Sequence, residues 1–326
     1  MKDLLFKVMK KRNLGNTGIS VSEIAFGGVE IGLPYGIGVK SKADMITEDN
    51  AVRLLHAALD NGINLFDTAR LYGDSESIMG KAFQDRRQEV VLCTKCKHLK
   101  DSDGNLPEAG EIKNVIKTSL KESLDALKTD YIDIYMLHQA DEQILDCEEI
   151  KEVFVELKKE GVIQSIGAST YTPQETKKAI DGGVWDVVQL PFNLMNQTHS
   201  VHFSEAKSKG VGIMVRSVLF KGLLSGKGTN LHPALSSVEE HIDNYRNVLN
   251  GSGTDLETIA MKFALASLEV STVLVGIDQM SYLEKALKVT NSDSISSELF
   301  SKLQGMKYPD PAFLDLVKWE KMKWLT

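Results

Sequence analysis

The sequence predicts an α/β fold: a (β/α)8 TIM barrel in a single domain, preceded by an N-terminal β-hairpin. Three observations predict it. Short apolar runs suited to strands recur eight times along the chain. Amphipathic stretches with helical spacing separate them. Residues able to move protons fall where the runs end, and a barrel carries its active site at that face. The 326 residues are 42% hydrophobic and 25% charged, enough for a well-buried core, and no Pro/Ser-rich linker or low-complexity segment divides them. Residues 1–326 therefore read as one barrel domain, with 1–11 as an N-terminal extension.

The hairpin turns around Asn16-Thr17-Gly18. The strand runs are Ile24–Phe26, Asn64–Asp67, Val90–Lys95, Tyr131–Leu137, Ser165–Ala168, Val187–Leu190, Gly212–Arg216 and Val273–Val275. Between them, Glu48–Asn61 carries Val52, Leu55, His56 and Leu59 on one side and stops at Gly62. Glu111–Leu127 repeats apolar residues at helical spacing, and Glu148–Glu160 ends at Gly161. Pro173–Asp181 opens with Thr172 as N-cap and Pro173 in the first turn. Further helices are expected at Ser75–Phe83, Val201–Lys209, Asp255–Leu268 and Ser281–Val289. A doubly wound open sheet usually has a glycine-rich phosphate turn after its first strand. Here Gly36-Ile37-Gly38 lacks the third glycine, and Gly222–Lys227 is too short for a P-loop.

Composition excludes several classes. A formal charge of −7 without a concentrated Lys/Arg cluster argues against nucleic acid as a partner. No apolar run approaches the roughly 20 residues that span a bilayer, so no membrane is expected. MKDLLFKVMKKR is interrupted by Lys7 and lacks a small-residue cleavage site, unlike a signal peptide. Cys93 and Cys96 form a C-x-x-C, but strand side chains alternate, so the two thiols face opposite sides. A reducing, cytoplasmic setting is expected. No metal site is expected, since only His138 offers a ligand at a strand end.

The chemistry lies in Asp67, Tyr72, Lys95 and His138, in NLFDTARLYGDSE, VVLCTKC and YIDIYMLHQ. A nearby ammonium lowers the pKa of a phenol, so Lys95 is expected to pull Tyr72 down. Asp67 can hold Lys95 charged, and His138 can orient the same substrate oxygen. The set suits protonation of a carbonyl oxygen while a hydride reaches its carbon, or the reverse. The hydride requires a nicotinamide cofactor.

On these residues the chain resembles the aldo-keto reductase family, from about Asn13 to about Leu287. Asn13–Ser22 is similar to the family's N-terminal hairpin, and Phe66–Glu76 to its most specific signature. The resemblance implies a catalytic tetrad of Asp67, Tyr72, Lys95 and His138, with Tyr72 as general acid/base. It implies cofactor contacts from Ser169 and Gln189 to the nicotinamide carboxamide. Thr170 stands where the family has asparagine, and a threonine hydroxyl still makes one bond. Gly222–Lys227, with Lys227 at its end, resembles the segment folding over the cofactor pyrophosphate, and Ser217, Leu219 and Gly222 are candidates beside it. Arg216 replaces an aromatic that stacks on the nicotinamide; a guanidinium can stack, or reach a phosphate or an acidic substrate group. After the eighth strand, Gly276-Ile277-Asp278 stands where many members bind a 2′-phosphate through arginine. Asp278 repels a phosphate and can accept from a ribose 2′-hydroxyl, so NAD(H) is expected over NADP(H).

The expected partner is a small polar carbonyl or alcohol, such as a sugar. Ile31–Ala43, with Tyr35 and Lys40, and His98–Gly110, with Asp101, Asp103 and Asn105, are the candidate substrate loops. Arg70 is expected to reach the pocket. The competing reading is a cofactor-binding regulatory barrel with little turnover. The oligomeric state is not legible.

Overall fold

The computed structural model describes residues 9–325. Most of the expected 1–11 extension therefore lies outside the described residues. Strands β1 (Lys11–Asn13) and β2 (Ser20–Ser22) pair antiparallel. Eight parallel strands then close a barrel. They are β3 (Ile24–Gly27), β4 (Leu65–Asp67), β5 (Val91–Lys95), β6 (Ile132–Leu137), β7 (Ile163–Ser169), β8 (Val187–Pro191), β9 (Gly212–Arg216) and β10 (Thr272–Gly276). Each pairs with the next, and β10 returns to β3.

Two apolar layers hold it together. Inside the barrel, Ala25, Leu65, Cys93, Ile134, Met136, Val187, Met214 and Leu274 form one buried cluster. Leu14 and Val21 of the hairpin join that cluster and fill the end of the barrel where the strands begin. A larger cluster packs the outward faces of the strands against the surrounding helices. Cys93 belongs to the inner cluster and Cys96 to the outer one, as strand alternation requires. The two thiols cannot meet.

The expected helices form with shifts of one or two residues at their ends, except that Val201–Lys209 divides into a 3-10 turn at Thr198–His202 and a helix at Phe203–Ser208. Thr172 caps Pro173–Asp181 by accepting from the Glu175 amide, with Glu175 returning to the Thr172 amide. Among the described residues five α-helices lie beyond the sequence expectations: Val29–Gly32, Glu142–Asp146, Ser236–Leu249, Ser297–Gly305 and Leu316–Lys321. In Ser236–Leu249 the signal is present, since Val238, Ile242, Tyr245 and Leu249 recur at helical spacing and are all buried. Among the described residues no helix is long and apolar enough to cross a membrane.

Candidate active site

The site is the top layer of the barrel interior. Strand side chains on one face repeat every second residue. Stepping two residues beyond the inner apolar layer leads from Leu65 to Asp67, from Cys93 to Lys95, from Met136 to His138, from Val187 to Gln189 and from Met214 to Arg216. The period that packs the core therefore also gathers polar groups at its rim. β4 and β5 pair with Asp67 opposite Cys93, which sets Lys95 beside the Asp67 carboxylate.

Lys95 is fully buried, and its ammonium has three acceptors: Asp67 Oδ1 at 2.8 Å, Asp67 Oδ2 at 2.7 Å and the Thr68 carbonyl at 2.9 Å. An ammonium has three protons to donate, so none is left for a ligand. Burial lowers its pKa, but the charge and hydrogen bonds of Asp67, together with Tyr72 and Cys93, outweigh that effect and hold it ionised. Tyr72 follows Asp67 by a short turn, and Lys95 Nζ lies 5.0 Å from its ring centroid. The His138 ring meets the Tyr72 ring edge-on, 5.3 Å between centroids, and the His98 ring at 5.1 Å.

The expected lowering of the Tyr72 pKa is corrected here. Burial raises it, and the Lys95 charge offsets only part of that rise. The phenol therefore keeps its proton at neutral pH. Burial, aided by the charges of Lys95, His98 and Arg216, drives the His138 pKa down to about 2. Its imidazole is neutral, and its buried Nδ1 has no hydrogen-bond partner among the described residues.

A cavity of about 810 Å³ opens over these groups, a size suited to a substantial ligand. Asp67, Tyr72, His138, Ser169, Gln189, Arg216, Ser217, Leu219, Gly222, Lys227, Gly276 and Asp278 all line it. Lys95 lies beneath its floor. Thr170 is buried outside it, its hydroxyl 2.6 Å from Thr176 Oγ1, which in turn meets His199 Nδ1 at 2.9 Å. Gln189 donates to Asp67 Oδ1 at 2.8 Å. Arg216 donates to the Thr170 carbonyl at 2.8 Å and stacks over Tyr171, 4.4 Å from its centroid.

The backbone after β9 is strained where it borders the cavity. Ser217, Phe220 and Lys221 have φ of 59°, 47° and 59°, left-handed values that cost non-glycine residues about 1 kcal/mol or more each. Gly222 follows at 97°. Lys227 reaches across to donate to the Ile37 carbonyl at 3.1 Å, and Lys221 pairs with Glu320. Tyr72, His138, Asp278 and Tyr282 line one cleft together with this strained segment, and it holds two buried polar atoms, Glu30 Oε2 and His138 Nδ1, without hydrogen-bond partners among the described residues. It fits a dinucleotide. Ser169 and Gln189, the Ser217–Lys227 segment and Asp278 would be the groups to hold one.

Other expectations are revised. Arg70 turns away from the cavity and pairs with buried Glu76, which also accepts from Thr94 Oγ1 at 2.6 Å. Asp101 accepts from the amides of Asp103 and Asn105 at 2.9 and 2.8 Å and so closes its own exposed turn. Apolar lining is also more extensive than the loops implied, because Pro311, Leu314, Leu316 and Val317 form part of the wall. Their distance in sequence from every barrel strand hides this. Glu30 is a further lining residue, and its one signal is an acid set in the apolar, glycine-rich run GGVEIG.

Comparison with known proteins bears on the family and the fold. The Aldo/keto reductase family model matches residues 23–307. L-galactose dehydrogenase of Arabidopsis thaliana is 30% identical over 314 residues, 91% of this chain and 94% of the relative. The NADH-specific methylglyoxal reductase of Escherichia coli is 32% identical over 232 residues, 67% of this chain and 70% of the relative. The holo structure of aldo-keto reductase AKR11C1 from Bacillus halodurans superimposes with a TM-score of 0.77 at 27% identity, covering 93% of this chain and 97% of that one.

Proposed function

Because this chain belongs to the aldo/keto reductase family and is an oxidoreductase, we propose that it interconverts a small carbonyl compound and its alcohol with Tyr72 as general acid/base and NAD(H) as the favoured cofactor. One observation carries the chemical assignment: the three protons of Lys95 are committed to Asp67 and Thr68. His138 is neutral, with a pKa of about 2. Of the four groups, that leaves the Tyr72 phenol as the acid facing the cavity.

The bound cofactor would supply the hydride. Tyr72 would give its proton to the substrate oxygen during reduction and recover it in oxidation. The buried Lys95 charge stabilises the phenolate that forms, acting in a water-poor site where a charge is worth more than in solvent. Asp67 fixes Lys95 in place, and His138 hydrogen-bonds and orients the same substrate oxygen.

The preference for NAD(H) rests on the distal rim. Asp278 lines it, and Lys285, the neighbouring cation, is already paired with Asp255 at 2.8 Å and Glu257 at 3.4 Å. A 2′-phosphate would meet an acid and a spent cation. Similarity to a reductase named NADH-specific supports the same reading. For the substrate we favour a hydroxylated, sugar-like carbonyl compound or alcohol. Tyr35, Tyr72, Tyr171 and Arg216 all line the cavity, and they offer several hydrogen-bonding groups there. The similarity to L-galactose dehydrogenase points the same way. Following cofactor absorbance with NADH and NADPH against sugars, small hydroxyaldehydes and apolar aldehydes tests the whole reading. Turnover of hydroxylated substrates with NADH is expected; no turnover of any carbonyl or alcohol would refute it.

A further inference from the structure

Glu30 is a carboxylic acid in a place where acids are costly. It sits on the short Val29–Gly32 turn that follows β3, at the mouth of the barrel. Its Oε1 lies against the Gly276 backbone at the end of β10, occupying the space a side chain at position 276 would need. Its Oε2 is buried and has no hydrogen-bond partner among the described residues. The side chain lines the same cavity as the tetrad, in electrostatic reach of Asp67 on one side and Asp278 on the other. It therefore interacts with acids at both the chemical end and the distal rim of the cavity.

We propose that Glu30 recognises the sugar–phosphate run of the dinucleotide, its carboxyl hydrogen-bonding that run from the floor of the cleft. This rests on the cofactor assignment made above. A buried polar atom without a partner is costly, and a ligand that supplies the partner recovers that cost. An ionised carboxylate would repel phosphate, so the acid must act in its neutral form, as an O–H donor.

The surroundings favour that form. Burial raises the Glu30 pKa to about 8; its own backbone amide lowers it, while Asp278 and Asp67 raise it. The charged and titratable groups facing it are Asp67 after β4, Lys221 after β9, Asp278 after β10 and Tyr35 from the following loop. Among these side chains Lys221 opposes the neutral form, and its charge is shared with Glu320 and with the Tyr35 ring, 4.6 Å from its ammonium. A bound phosphate adds negative charge and raises the Glu30 pKa further. Dinucleotide affinity is then full below about pH 8 and falls as pH rises through that value, by up to about tenfold per unit for one linked proton. Lys221 also loses charge at high pH and contributes its own slope. Glu30→Gln removes the first effect and leaves the second.

The test is equilibrium titration of NADH, read by protein fluorescence, on wild type, Glu30→Gln and Glu30→Ala from about pH 6.5 to 9.5. Circular dichroism confirms that each variant is folded. Gln keeps a donor without a titrating proton. It is expected to bind within about twofold of wild type at pH 7 and to show a shallower loss of affinity above pH 8. Ala is expected to bind several-fold more weakly at pH 7. Equal slopes for wild type and Glu30→Gln, or undiminished binding by Glu30→Ala, would overturn the role of Glu30 while leaving the cofactor assignment intact. Failure of the wild type to bind either NADH or NADPH would overturn both.

Discussion

Lys95 Nζ lies 2.7 and 2.8 Å from the two carboxylate oxygens of Asp67, and the pair is buried at the floor of the cavity, which Asp67 lines. Both groups are essentially without solvent. Removing one partner of such a pair leaves a buried charge uncompensated, which costs about 3–5 kcal/mol. Lys95→Met is therefore expected to lower unfolding stability by that amount in urea titration, whereas Lys95→Met with Asp67→Asn recovers much of it. Both variants should lose turnover. If the single variant is as stable as wild type, the ion pair is not the tightly buried unit described here.

The protonation states at the site set a pH profile. Carbonyl reduction needs the Tyr72 proton and a neutral His138. Burial holds the first on above the ordinary phenol value, and the second is already neutral because its pKa lies near 2. Reductive kcat at saturating cofactor is therefore expected to stay flat from about pH 6 to 9 and to decline only as Tyr72 deprotonates. The oxidative rate, which needs the phenolate, should rise with pH over the same range. Initial-rate measurements in both directions check this; an inflection in reductive kcat near pH 6–7 would indicate a titrating His138 instead.

Asp278 is the proposed basis of cofactor choice. Replacing it by arginine exchanges repulsion of a 2′-phosphate for a charge-assisted bond worth on the order of 1.5–3 kcal/mol. Asp278→Arg should raise kcat/KM with NADPH by roughly 10-fold or more relative to NADH. Steady-state kinetics with both cofactors would show it, and an unchanged ratio would remove Asp278 from the specificity argument.

Glu30 also leaves a signature in stability. Its folded pKa of about 8 lies above the ordinary carboxyl value of 4.5. The stability this provides is fully present below about pH 4.5 and declines as pH rises to about 8, by roughly 1.4 kcal/mol per unit. Glu30→Gln does not titrate, so it should gain on wild type across that window, reaching several kcal/mol at most by about pH 9. Thermal or urea unfolding at pH 5 and pH 9 measures the difference; a constant gap would show that Glu30 does not change protonation.

The barrel was readable because short apolar runs recur eight times with amphipathic stretches between them, and Asp67, Lys95 and His138 because they fall where such runs end; Gln189 came from the family resemblance. In the structure all four continue, by one period-two step, the stripe of Leu65, Cys93, Met136 and Val187 in the inner core. What strand spacing cannot show is where a side chain finds its partner. Thr170 sits at the right place in the chain, yet Thr176 in the next helix takes its hydroxyl. Arg70 lies between Asp67 and Tyr72, yet Glu76, six residues on, draws it away. The wall formed by residues 311–320 comes from packing after the last barrel strand; Trp319 anchors it against Phe220, 5.8 Å between ring centroids.

The assignment of Tyr72 as the proton donor is tested most directly by Tyr72→Phe. The substitution removes one hydroxyl and leaves the ring, and so its contacts with Lys95 and His138, in place. With NADH and a hydroxylated aldehyde that the wild type reduces, kcat/KM should fall by roughly 10²–10⁴-fold. The dissociation constant for NADH should stay within about twofold, well under the tenfold shift that 1.4 kcal/mol would produce. Retention of wild-type kcat/KM by Tyr72→Phe, with NADH still bound, would contradict the account at its centre.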